Sequence, residues 1–104
     1  MNATLYLPSQ FSLPVSTDGL HVFALDPTSG FVRATRQIAE LLGCRPGLVD
    51  VLARTPDYVV YSVFDCDAGV NETAMKAVAE LTGISFDPAN DDEVLCGSVL
   101  VVTA

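Results

Sequence analysis

An internal repeat constrains the fold of this chain more than any other feature of its sequence. The segment 36–44 (RQIAELLGC) matches 76–84 (KAVAELTGI) in residue type at most positions, at an offset of 40 residues. Upstream, 25–31 (LDPTSGF) matches 64–70 (FDCDAGV) at an offset of 39 residues. Each half therefore predicts a strand, an Asp-x-x-x-Gly turn and a helix that ends at glycine. Two such halves make up the split βαβ fold.

The repeat predicts an α+β fold: a ferredoxin-like βαββαβ two-layer sandwich, in which an antiparallel sheet carries both helices on one face. The first helix is expected to begin at Asp26-Pro27, because Asp is a preferred N-cap and Pro suits the first helical position. It ends at Gly43, a left-handed residue after the last turn. The other predicted elements are a strand over 21–26, a hairpin of 48–54 and 58–65, a helix capped by Asn71 and Gly83, and a strand over 94–102. The apolar stripes of the two helices are Phe31, Thr35, Ile38 and Leu42 in the first, and Ala74, Met75, Val78 and Leu81 in the second.

The sequence leaves the secondary structure of two stretches undecided. Residues 46–54 fit the period of a short helix as well as a strand, and the repeat favours the strand. Residues 2–7 form a possible extra N-terminal strand at the edge of the sheet. We interpret 1–19 as an N-terminal arm or edge strand and 20–104 as the βαββαβ core of a single domain, since 104 residues is an ordinary domain size.

Composition and charge exclude several classes of function. The mean hydropathy is +0.41, yet the longest near-apolar run, 94–104, is too short for a membrane span, which needs about 20 residues. With no signal-peptide pattern at the start, a cytoplasmic location is expected. The net charge of −8 disfavours direct binding of nucleic acid and favours a basic protein partner. The three cysteines form no C-x-x-C pair, and no cofactor is predicted.

The expected strands of the second half are apolar on both faces. In the strand over 58–65, the two faces carry Tyr58, Val60 and Phe64 on one side and Val59, Tyr61 and Val63 on the other. Two helices on one face would leave the other face bare, and so much apolar surface is not left in water. A second copy of the chain or residues 1–19 must then cover it. We therefore expect a homo-oligomer, with any ligand pocket between the sheet and its cover.

One group of carboxylates is a candidate metal site. In the predicted topology the first and third strands are parallel neighbours, so their C-terminal ends bring Asp26 close to Asp65 and Asp67. Carboxylates are the hard oxygen ligands that Mg²⁺ and Ca²⁺ prefer. The same three residues are also preferred helix caps, and capping is the favoured interpretation.

The candidate ligand-binding residues are His21, Tyr58 and Tyr61, as polar groups of a pocket against the sheet. No catalytic residue is predicted, because the chain has no G-x-S-x-G, Walker or dinucleotide-binding motif. The leading hypothesis is accordingly a non-enzymatic protein-interaction or regulatory module that acts as a homo-oligomer.

Two other functions remain as alternatives. One is a small dimeric α/β-barrel-like enzyme or small-molecule-binding protein, with a pocket of about 300 Å³ or more against the sheet. The other is an acidic inhibitor that mimics nucleic acid, of the type that mobile elements encode. The latter requires a continuous acidic stripe of Asp57, Asp87, Asp91, Asp92 and Glu93.

Overall fold

The computed structural model describes residues 2–8, 11–18, 23–25, 32–34, 36–55, 57–63, 69–84, 86 and 94–103; for 23–25, 32–34 and 46 it describes the backbone alone. The strands are β1 (Asn2–Tyr6), β2 (Ser12–Val15), β3 (Phe23–Leu25), β4 (Val32–Ala34), β5 (Val49–Arg54), β6 (Tyr58–Val63) and β7 (Val99–Thr103). The helices are α1 (Arg36–Leu42) and α2 (Glu72–Thr82), with a short 3₁₀ turn at Pro46–Leu48. The predicted α+β class is confirmed.

The main sheet has five strands in the order β2-β1-β7-β6-β5, and every neighbouring pair is antiparallel. The ferredoxin-like strand order is not confirmed, because β3 pairs with β4 in a separate two-stranded sheet instead of lying beside a parallel strand. The N-terminal strand does not lie at an edge either. Its residues Ala3 and Leu5 are buried, and β1 lies between β2 and β7, next to the central strand.

The two helices lie on opposite faces of the main sheet, so this part of the chain has three layers and not the predicted two. Successive residues of a strand point to opposite faces, and each face has its own helix. We call the two sides the α1 face and the α2 face. The buried residues of the α1 face are Ala3, Leu5, Ile38, Leu42, Val59, Tyr61, Leu100 and Val102. Those of the α2 face are Val60, Ala74, Met75, Val78, Leu95, Val99 and Val101.

This arrangement accounts for the strands that are apolar on both faces. In β7, Leu100 and Val102 pack under α1, while Val99 and Val101 pack under α2. The sheet therefore has no helix-free face, and the reason for expecting a second copy to cover one is removed. The homo-oligomer itself stays a prediction.

The first helix begins later in the chain than the sequence predicted. Residues 32–34 form the strand β4, and α1 begins at Arg36, whereas Asp26 lies outside the described residues. Val32 is β-branched and favours extended backbone; Phe31 and Thr35, the first two residues of the predicted stripe, lie outside the described residues. The second half of the stripe is confirmed, because Ile38 and Leu42 are buried against the sheet.

The end of α1 is where the glycine predicts it. Gly43 is left-handed, with φ 71°. Its N–H donates to the carbonyl of Glu40 at 3.2 Å, and the N–H of Cys44 donates to the carbonyl of Ala39 at 3.1 Å. This pair of bonds is the Schellman motif, which satisfies the last carbonyls of a helix. Gly83 ends α2 in the same conformation, with φ 77°.

Asn71 caps α2 as predicted and also joins it to the sheet. Its side-chain oxygen accepts from the Ala74 N–H at 3.0 Å. Its amide nitrogen donates to the carbonyls of Tyr6 at 3.0 Å and of Gly97 at 2.8 Å, and its backbone N–H donates to Leu95 at 2.7 Å. The side chain is fully buried, so these bonds replace all of its contacts with water.

Both edges of the main sheet are modified in ways that hinder further strand pairing. One edge is formed by β2. The N–H of Leu7 donates to the carbonyl of Phe11, and hydrogen-bonded and non-hydrogen-bonded pairs alternate along the register from there. The nitrogen of Pro14 therefore faces away from β1, to the open side. Proline has no N–H to offer another strand there. At the other edge, β5 carries a bulge between Val51 and Ala53, and bulges twist an edge away from flat pairing.

We expect Asn71→Ala to lower the free energy of unfolding by about 2–4 kcal/mol, since it removes a helix cap and the side-chain donor to the buried contact with Gly97 and the part-buried contact with Tyr6. Urea unfolding followed by circular dichroism measures this loss. Asn71→Asp keeps the acceptor for Ala74 but removes both donors and puts a carboxylate oxygen against the two carbonyls, so its loss reports the missing donors together with that repulsion. Asn2→Ala, at an exposed asparagine, is the control. A loss below about 0.5 kcal/mol for Asn71→Ala, the ordinary effect of a surface change, would contradict this role.

We expect Pro14→Thr to promote self-association, because it restores an N–H on the open edge of β2. Light scattering coupled to size-exclusion chromatography detects the change. Pro8→Thr, which replaces a proline outside the strands, should elute as the unchanged chain does. Equal elution of both variants would show that the proline does not protect this edge.

Candidate functional site

The structure separates the two sequence-predicted site residues that it describes, Tyr58 and Tyr61. Tyr58 is half-buried on the α2 face, whereas Tyr61 is fully buried on the α1 face. An odd separation along one strand puts them on opposite sides of the sheet, so no single pocket contains both. The other predicted site residues lie outside the described part of the chain: His21, Asp26, Asp65 and Asp67. Their roles stay predictions.

The environment of Tyr61 is typical of a core residue. It lies opposite Leu100 in the sheet register and packs under α1. Burial raises the pKa of the Tyr61 phenol above its ordinary value of 10.0, and the positive charge of Arg54 partly opposes this rise. The phenol is therefore uncharged at neutral pH and is unsuited to act as a base.

A groove along α2 is the site that the fold itself creates. The helix covers β6 and β7, where Val60 and Val99 are fully buried, but it leaves part of the α2 face of β1 open. Ala77 widens the opening, because a methyl group is all that the helix offers there. The result is an open groove of about 350 Å³, which we call the α2 groove, lined by Thr4, Tyr6, Ala77, Glu80, Leu81, Val101 and Thr103.

The α2 groove combines an apolar floor with polar sides. Val101 is buried in the floor, and Leu81 remains 37% exposed at the helix. Leu81 was predicted to pack in the core with the rest of its stripe, but that prediction is wrong because the sheet beside it is open. Hydroxyl groups come from the strands, and the carboxylate of Glu80 is exposed on the helix side. Among the described residues, no basic group lies within ion-pair distance of Glu80.

Sequence reasoning missed the strand residues of this groove. Residues 1–19 were interpreted as an arm or edge strand, so Thr4 and Tyr6 were not considered beside Thr103. The alternation in β1 carried the signal: Ala3 and Leu5 are buried on the α1 face, while Thr4 and Tyr6 are half-buried on the α2 face. Which strand lies beside β1 could not be inferred from that pattern.

A second groove lies on the other side of the sheet, between α1 and the end of β2. It has a volume of about 320 Å³, is also open to solvent, and is lined by Val15, Ser16, Asp18, Gln37, Glu40 and Leu41. We call it the α1 groove. Glu40 lies 3.8 Å from Arg36 across one helical turn, and both side chains are largely exposed. Such exposed pairs contribute little to stability.

The part of the chain that the structure describes contains neither a cluster of metal-ligating side chains nor a membrane-spanning helix. Its His, Cys, Asp and Glu residues form no group of three that could hold a metal ion. None of its helices is both long enough and apolar enough to cross a bilayer.

We expect the free energy of unfolding to fall as the pH rises above about 10, with Tyr61 contributing up to about 1.4 kcal/mol per pH unit. An unfolded tyrosine ionises near that pH while the buried Tyr61 keeps its proton, so above it the unfolded state binds fewer protons than the folded state. Below that pH the contribution of Tyr61 to the free energy of unfolding is fully retained. Tyr61→Phe should remove this part of the dependence, and Tyr58→Phe, on the other face, should retain it. Urea unfolding between pH 8 and 11 measures both. An equal slope in the wild type and in Tyr61→Phe would contradict this assignment.

The ligands of the two grooves must be inferred from their own side chains. The grooves differ in face and in lining, but both offer apolar contacts beside a glutamate on a helix. No family model matches this chain, and neither the curated proteins nor the solved structures contain a match to it.

Proposed function

We propose that this chain is a non-enzymatic interaction module that binds a basic, partly apolar segment of a protein partner in the α2 groove. The observation that carries the proposal is the exposed Leu81 beside Glu80, which forms no ion pair with a described residue, at the rim of an open groove. These two residues offer an apolar contact and a negative charge to the same ligand.

The apolar part of the groove supplies binding energy. Leu81 is 37% exposed although its helix is otherwise anchored by buried residues, and Val101 and Ala77 lie beside it in the groove. Covering a leucine side chain completely contributes about 1.5–3 kcal/mol, so the exposed part of Leu81 contributes a fraction of that amount. An apolar side chain of a partner, inserted between the helix and β1, would remove this surface from water.

The charge of the groove selects the sign of the partner. Glu80 is one of the carboxylates of a chain whose net charge is −8, and no described basic group forms an ion pair with it. A Lys or Arg beside the apolar side chain of the partner would pair with Glu80. The net negative charge would also speed association with a basic segment, and this effect would weaken as the salt concentration rises.

The shape of the groove favours a polypeptide over a small molecule. Small-molecule pockets bury about 70–90% of their ligand, whereas this groove is open along its length. Hydroxyl groups of Thr4, Tyr6 and Thr103 lie along two neighbouring strands, where they can bond the backbone of an extended segment. In the part of its lining that the structure describes, the groove has one carboxylate and no His, Cys or Lys, so it does not offer the pair of carboxylates or the histidine on which general acid–base catalysis commonly depends.

We expect the blocked pentapeptide Lys-Leu-Lys-Leu-Lys to bind in the α2 groove. In ¹⁵N-labelled protein it should shift the amide signals of Tyr6, Glu80, Leu81 and Val101. Glu80→Gln should weaken this binding about two- to fivefold, the contribution of one exposed ion pair. Salt at about 1 M, where the Debye length is about 3 Å, should reduce the difference between the two proteins.

The matched control is Asp50→Asn, which removes the same charge from an exposed residue of β5, two strands away from β7 in the sheet order. It should leave the affinity within about twofold of the wild type. If Asp50→Asn and Glu80→Gln weaken binding equally, the peptide responds to net charge only and the α2 groove is not its site.

A further inference from the structure

The two grooves are related by the internal repeat of the sequence. The helix residues of the α1 groove are Gln37, Glu40 and Leu41, and those of the α2 groove are Ala77, Glu80 and Leu81. Adding the offset of 40 residues to the first set gives the second set at every position. The repeat comes from the sequence alone and the linings come from the structure, so the two observations are independent.

The equivalence includes the way in which each helix is anchored. Ile38 and Val78 correspond in the repeat, and both are fully buried, each on its own face of the sheet. Residues at i+2 and i+3 from these anchors therefore leave each helix in the same directions relative to the sheet below. This places Glu40 on the α1 face as Glu80 is placed on the α2 face.

We propose that the α1 groove is a second site for the same class of ligand, a basic and partly apolar polypeptide segment, so that one chain binds two segments on opposite faces. The proposal rests on the function assigned above to the α2 groove. Charge complementarity supports the choice of ligand, because Asp18 and Glu40 give the α1 groove two carboxylates. Val15 and Leu41 supply its apolar contacts.

The ion pair between Glu40 and Arg36 leaves the site accessible to a ligand. The atoms are 3.8 Å apart and both side chains are exposed, so a partner lysine can replace Arg36 at little cost. The equivalent of Arg36 in the repeat is Lys76, which is also exposed. Each helix thus has a basic residue one turn before its glutamate, and neither of these two residues is part of the groove lining.

The two grooves differ in charge, which predicts different affinities. Asp18 and Glu40 give the α1 groove two carboxylates, whereas the described lining of the α2 groove has one, Glu80. One further exposed ion pair with a basic segment contributes about 0.2–1 kcal/mol. We therefore expect the peptide concentrations that half-saturate the two grooves to differ by about two- to fivefold.

The test uses ¹⁵N-labelled protein titrated with the same blocked pentapeptide, Lys-Leu-Lys-Leu-Lys, with each groove monitored by its own amides. Ser16, Gln37 and Leu41 report the α1 groove, and Tyr6, Ala77 and Leu81 report the α2 groove. We expect two sets of saturating shifts with separate midpoints. Glu40→Gln should weaken the first set by about two- to fivefold and leave the second set unchanged, and Glu80→Gln should do the reverse.

The outcomes separate this inference from the proposed function. Shifts that saturate in the α2 groove alone, with no response in the α1 groove, would overturn the second site and leave the proposed function standing. Shifts in neither groove would overturn both. The control Asp50→Asn should leave both midpoints within about twofold of the wild type; if it weakens both sets as much as the groove variants do, the binding is non-specific and the two-site proposal fails.

Discussion

The buried side chain of Asn71 fixes the position of α2, and the rest of the α2 face depends on it. One amide group closes the start of the helix at Ala74 and bonds the carbonyls of Tyr6 and Gly97. These carbonyls belong to the end of β1 and to the segment that leads into β7. Three separate parts of the chain are thereby held at one point, and the α2 groove exists because the helix starts there and runs along β7, leaving β1 open.

The central strand explains how so short a chain accommodates such an apolar sequence. β7 lies between β1 and β6, and its residues Val99–Val102 are all buried. A strand that is covered by helices on both faces has no alternation of apolar and polar residues. The same feature suggested a bare face and a covering second copy when both helices were placed on one side. With one helix on each side, the apolar residues of β7 are all satisfied within the described part of one chain.

Local features of the fold were predictable from the sequence, whereas the arrangement of its layers was not. Caps depend on a few adjacent residues, so Asn71, Gly43 and Gly83 could be assigned from their neighbours alone. The hairpin of β5 and β6 was predicted from the turn residues at 55–57 together with the repeat, which favoured a strand over a helix at 46–54. An apolar stripe indicates that a helix packs on a sheet, but it does not indicate on which face, because the same pattern suits either face. The α2 groove was not predicted for a related reason, since the strands that line it, β1 and β7, come from opposite ends of the sequence.

Tyr6 links the α2 groove to the stability of the helix, because its backbone and its side chain make different contacts. Its backbone carbonyl accepts from the cap residue Asn71, while its side chain lines the groove. A ligand that holds Tyr6 in place also holds the acceptor on which the first turn of α2 relies. Occupying the groove would then slow the opening of that turn, and hydrogen exchange at the start of the helix would report ligand bound some distance along it.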